Sequence, residues 1–122
     1  MNEKELSTLS KTWMFDLDGT LVEHNGYKSK ERILPGVINF FKDNVKANDV
    51  VILMTARTQP QATSATRILK ENGLKYDLLI SDLPHGERMI FNDKKGSGLE
   101  TCHSINLNRD EGLCGLKFKF CK

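Results

Sequence analysis

Two carboxylates separated by one residue, Asp16 and Asp18, close the apolar run Trp13-Met14-Phe15 and are followed at once by Gly19-Thr20. The run has the character of a buried strand, and glycine beside threonine suits a sharp turn where that strand ends. In a parallel sheet the pair would sit at the carboxyl end of the strand, where ligands bind. Carboxylates this close repel each other unless a cation or a substrate proton separates them. The arrangement is expensive for structure alone, so it reads as chemistry. A calcium loop of the EF-hand type would need further oxygen ligands at fixed spacing and a closing glutamate. Leu21, Val22 and the residues after them do not supply those.

Two more apolar runs end in polar residues. Val50-Val51-Ile52-Leu53-Met54 is closed by Thr55-Ala56-Arg57-Thr58, and Met89-Ile90-Phe91 by Asn92-Asp93. With these three strand ends in view, Phe15-Asp16-Leu17-Asp18-Gly19-Thr20-Leu21 resembles the first motif of the haloacid dehalogenase-like phosphohydrolase superfamily. The resemblance implies that Asp16 is a nucleophile that becomes a phosphoaspartate and that Asp18 is the general acid/base. It also implies that Thr55 and the backbone amide of Ala56 hold the phosphate. Asn92-Asp93 resembles the family's paired-acid motif, with Asn92 standing where an acid is usual. The metal reading that follows is Mg²⁺ held by Asp16, the backbone carbonyl of Asp18, and Asp93, completed by waters and a phosphate oxygen.

The family also has a basic residue that neutralises the transferred phosphate. Leu83, ahead of Pro84, occupies the place where many members carry a lysine, which leaves Arg88 and Lys75 as candidates. Arg88 lies nearer the Asn92-Asp93 motif and has the fork geometry for phosphate oxygens. Arg57 is read evenly as facing phosphate or solvent.

The elements that must carry these residues follow from periodicity. A first strand is expected over 12–15. Helical spacing of Val37, Phe40, Phe41 and Val45 predicts a helix behind Pro35-Gly36. The run 50–54 predicts a strand covered on both faces. Thr58 with Gln61 reads as a capping box with Pro60 in the first turn, opening a helix that ends near Asn72-Gly73. Further strands are expected over 74–80, 87–91 and 100–107. Alternating Leu116-Lys117-Phe118-Lys119-Phe120 reads as an edge strand. Residues 2–11 read as a lead-in or one helical turn, and Asn25-Gly26 as a turn within a flap over residues 23–30. His24 and His103 read as solvated or structural. The fold expected is α/β, a Rossmann-like three-layer sandwich with a mainly parallel sheet. It is one domain over 1–122 with its core at about 12–109, and neither interval between the family-like motifs has room for a cap domain.

Hydrophobic residues at 39% and charged residues at 28% describe a soluble globular chain, and its net charge is +2. That charge and the lack of an aromatic–basic stripe argue against a nucleic-acid partner. No apolar run approaches the roughly 20 residues of a membrane span. The first residues lack a signal-peptide core, and the three cysteines lack metal-ligand spacing, so a cytoplasmic setting with reduced thiols is expected. The function expected is Mg²⁺-dependent hydrolysis of a phosphomonoester, with a sugar phosphate or related metabolite as substrate. A homo-oligomer could close the open site. A macromolecular phosphatase (phosphoprotein or nucleic-acid 3′ end), a phosphotransferase and a non-catalytic binding domain are the alternatives.

Overall fold

In the computed structural model, residues 4–121 are described. Five strands and two α-helices succeed one another as β1 (Lys4–Leu6), β2 (Thr12–Asp16), α1 (Val37–Asn44), β3 (Val50–Met54), α2 (Gln59–Glu71), β4 (Leu78–Ile80) and β5 (Phe118–Phe120). Every strand pairing is parallel. The strands form a three-stranded sheet of order β2-β3-β4 and a two-stranded sheet of β1 with β5.

Parallel neighbours need a crossover, and α1 supplies it between β2 and β3 while α2 supplies it between β3 and β4. Register places Trp13 beside Val51 and Phe15 beside Leu53, all on one face. That face is buried. Phe15, Val51 and Leu53 join Val37, Phe40 and Phe41 of α1 and Ala62, Ala65 and Leu69 of α2 in one core. Trp13, Phe15, Phe40 and Phe41 pack as rings with centroids 4.9–6.2 Å apart, and such pairs add to simple area burial.

The other face differs from the expectation of a strand covered on both sides. Met14 and Val50 are exposed on it, as is Leu78. Both helices with buried apolar faces belong to the core on the first side. The sheet has therefore one packed face and one half-open face, and the three-layer sandwich is not assembled among the described residues.

The capping box at Thr58 forms as the sequence predicts. Its hydroxyl accepts from the Gln61 amide, and the Gln61 side chain accepts from the Thr58 amide. Asn25 takes the left-handed conformation in its turn, and Gly26–Lys28 form a short 3₁₀ helix. The strand expected over 74–80 contracts to β4. The strands expected over 87–91 and 100–107 are absent, and residues 82–110 hold no regular element. Met89, Ile90 and Phe91, which suggested a strand, are largely exposed instead. A run becomes a strand only by pairing its backbone with a neighbouring edge, and this one joins neither of the sheet's outer strands, β2 and β4.

At the chain ends the lead-in contains β1, which the sequence did not suggest because its residues are polar. Its partner is the tail strand β5, whose Phe118 packs against Trp13 and Phe40. Residues 2 and 3 of the lead-in lie outside the described residues.

Candidate functional site

Asp16 is the last residue of β2, and the chain continues from the end of that strand by the Leu17 amide donating to Met54 O of β3. Both therefore lie at the carboxyl end of the sheet. The turn that follows depends on Gly19, which has φ +79°. A Cβ there would lie 2.9 Å from Cγ of Arg109, so glycine suits both the turn and the close approach of that side chain. The turn is clamped from the far end of the chain, where the Asp110 amide donates to Gly19 O and Asp110 Oδ1 accepts from the His24 amide.

The two carboxylates have different surroundings. The side chain of Asp16 is 35% exposed; Thr20 Oγ1 donates to its Oδ2 over 3.4 Å, and Arg88 Nη1 lies 3.2 Å from its Oδ1. Burial raises its carboxyl above the usual range; Arg88 draws it back, neighbouring Asp18 raises it again, and the net shift is upward. Asp18 has both oxygens engaged. Oδ2 accepts from Thr55 Oγ1 at 3.0 Å, and Oδ1 accepts from Arg57 Nε at 2.8 Å, with Nη2 at 2.7 Å.

Arg57 is the residue that sequence reading placed least well. It neither faces solvent nor stands free for phosphate: its side chain is 2% exposed and bridges Asp18 to Glu31. Nη1 and Nη2 donate to the two oxygens of Glu31 at 2.5 and 3.1 Å, and Nη1 also donates to Gln61 O. The Tyr27 ring lies 4.8 Å from the guanidinium carbon, within cation–π range. Burial disfavours the charge, but hydrogen bonds from Glu31 and Asp18 more than offset it, so the guanidinium holds its proton more firmly than usual. Glu31 and Tyr27 were missed because they reach Arg57 from the flap and the residue just past it, far away in sequence. The one signal for them was an acid and an aromatic in an otherwise polar loop.

The remaining expected site residues are distributed as follows. Thr55 is fully buried, and its hydroxyl donates to Asp18 and accepts from the Arg57 amide. That hydroxyl supports Asp18. Ala56 occupies the bend after β3, half-buried. Of the two basic candidates, Arg88 meets Asp16, whereas Lys75 lies at the opposite end of the sheet. Its Nζ donates to the carbonyls of Ala47 and Asp49, ahead of β3. Asp93 and Asn92 belong to an exposed stretch where Thr101 Oγ1 donates to Asp93 O and accepts from Asn92 Nδ2.

Magnesium needs several oxygen ligands converging in near-octahedral geometry. Among the described residues no three His, Cys, Asp or Glu side chains converge in that way. Asp16 meets an arginine, and the Asp18 side chain is engaged by Thr55 and Arg57. The side chains of Asp16, Asp18 and Asp93 alone therefore make no such group, and the expected set relies also on the backbone carbonyl of Asp18.

Among the described residues no helix is long and apolar enough to cross a membrane. No family model matches the chain, and neither a curated protein nor a solved structure matches it.

Proposed function

We propose that the chain is a phosphohydrolase of the haloacid dehalogenase-like kind, on a Rossmann-like core without a cap domain, and that Asp16 is its nucleophile. The observation that carries the reading is the division of labour between the two carboxylates. Asp16 is reachable at the carboxyl end of β2 and faces a cation, while its neighbour Asp18 is held on both oxygens.

In this reading the Asp16 carboxylate attacks phosphorus, the bond to the leaving oxygen breaks, and a phosphoaspartate results. A phosphate monoester presents anionic oxygens to an anionic nucleophile, so positive charge must be supplied at that point. Arg88 is placed for this, exchanging its contact with Asp16 for phosphate oxygens. Asp18 lies two residues on and is the group at hand to exchange a proton with the leaving oxygen and then with attacking water. Asp16 is 35% exposed at the sheet's carboxyl end, which suits a sugar phosphate or a larger phosphorylated substrate.

The test is release of inorganic phosphate from p-nitrophenyl phosphate and a panel of sugar phosphates, with Mg²⁺ and with a chelator, for the wild type and Asp16→Asn. Turnover that disappears in the variant is the expected result, and the chelator arm decides whether an added ion takes part. An added alcohol acceptor separates transfer from hydrolysis. The engagement of both Asp18 oxygens by Thr55 and Arg57 favours a second reading, a domain that binds phosphorylated ligands without turnover. No release above the variant across the panel, with a metal-fluoride phosphate mimic still bound, would select it.

A further inference from the structure

Arg57 carries the one positive charge of a buried cluster that holds two negative ones. Asp18 takes Nε and Nη2, Glu31 takes Nη1 and Nη2, and Gln61 O takes Nη1 again. The Tyr27 ring covers the guanidinium. Glu31 is in turn fixed by Ser64 Oγ, which donates to its Oε2. The loop that carries Glu31 and Tyr27 is tied at its ends, where Val22 bridges Ile33 and the Leu34 amide donates to Leu21 O. A continuous chain of contacts thus runs from the loop through Glu31 and Arg57 to Asp18.

An arginine beside a phosphate site ordinarily forks onto phosphate oxygens. Here Glu31 competes for the fork. Neutralising Glu31 takes the cluster from a net charge of −1 to a balanced Arg57–Asp18 pair and loosens the Nη1 and Nη2 donors that Glu31 holds. Those donors can then turn to an incoming phosphate, which also meets less negative charge on approach.

We infer that Glu31 is a positioning residue, acting through Arg57, that keeps the guanidinium on Asp18 and off the substrate. The inference rests on the phosphohydrolase reading. It predicts an uncommon signature for Glu31→Gln: kcat falls about 10- to 100-fold because Asp18 loses its fixed orientation, while KM falls because Arg57 now adds ground-state binding. Loss of structure alone lowers the active fraction and does not lower KM.

The experiment measures kcat and KM separately for wild type, Glu31→Gln, Arg57→Lys and the double variant. Ser64→Ala is included because it loosens Glu31 without removing it, and it keeps the test open if Glu31→Gln folds poorly. Expected are the split described for Glu31→Gln, a smaller change of the same kind in Ser64→Ala, and a double variant little worse than Arg57→Lys alone. A kcat within twofold of wild type in Glu31→Gln, or effects of Glu31 and Arg57 that multiply independently, would overturn the inference while leaving the phosphohydrolase reading in place. A wild type that releases no phosphate overturns both.

Discussion

Asp49 and Asp16 stand at opposite ends of the same parallel sheet and are treated in opposite ways. Asp49 lies just ahead of β3 and is buried. Its Oδ1 accepts from the Lys11 amide, and its Oδ2 accepts from the Trp13 indole and the Lys46 amide, each at 2.9 Å. Burial pushes this carboxyl up, yet the Trp13, Lys46 and Lys11 donors outweigh it and hold it below the usual range. Asp16, at the far end, has one weak hydroxyl donor and one arginine, and for it burial wins. The same residue type stabilises the fold where donors are plentiful and resists ionisation where they are withheld. Withholding donors is what leaves a carboxylate free to react, and stability is the usual cost of that freedom.

The comparison breaks first at Asp16. Asp16→Asn is expected to lower phosphate release by on the order of 10⁴-fold or more, as loss of a nucleophile does. The same variant removes an unfavourably placed charge, so its Tm is expected at or above the wild-type value by calorimetry. Asp49→Ala is expected to do the reverse. It strands an indole and two backbone N–H groups and costs about 3 kcal/mol in denaturant unfolding, with kcat per folded molecule unchanged.

Trp13→Phe sharpens the contrast with a smaller effect. It removes one of the three donors to Asp49 while keeping a ring against Phe40. The expected loss is about 1 kcal/mol, and the Asp49 carboxyl moves upward when followed by NMR titration.

The pH dependence of stability separates the two residues by sign. Asp49 has a lowered folded value, so its contribution is present above the unfolded carboxyl value of about 3.9 and is lost as pH falls through the folded value. Asp16 has a raised folded value, so its cost appears as pH rises from about 3.9 through that value. The stability advantage of wild type over Asp49→Asn is therefore expected to shrink in acid. The advantage of Asp16→Asn over wild type is expected to grow as pH rises out of acid. Unfolding free energies across the acid range check both, and equal slopes for the two variants would count against the contrast.

What the sequence discloses follows the range of the interactions involved. The strands β2 and β3, the helix behind Pro35-Gly36 and the Thr58 capping box rest on spacing within a few residues, and the structure has them within a residue or so. The position of Asp16 and Asp18 at a strand end was legible for the same reason. The long-range contacts that fix their surroundings were not. Glu31 meets Arg57 across 26 residues, and the Asp110 clamp on His24 spans 86. β1 is a strand because β5 lies beside it, and apolar Met89-Ile90-Phe91 joins no sheet edge. Lys75 shows the limit plainly. Its charge suited phosphate, but its position before β4 puts it at the Asp49 end of the sheet.

The most direct test of the account is covalent capture at Asp16. Wild type is mixed with p-nitrophenyl phosphate, quenched in acid, digested and read by mass spectrometry. The account predicts a phosphoryl group on Asp16 in the wild type and none in Asp16→Asn. Phosphate release from the wild type with Asp16 unlabelled at every quench time, or release undiminished in Asp16→Asn, would contradict it.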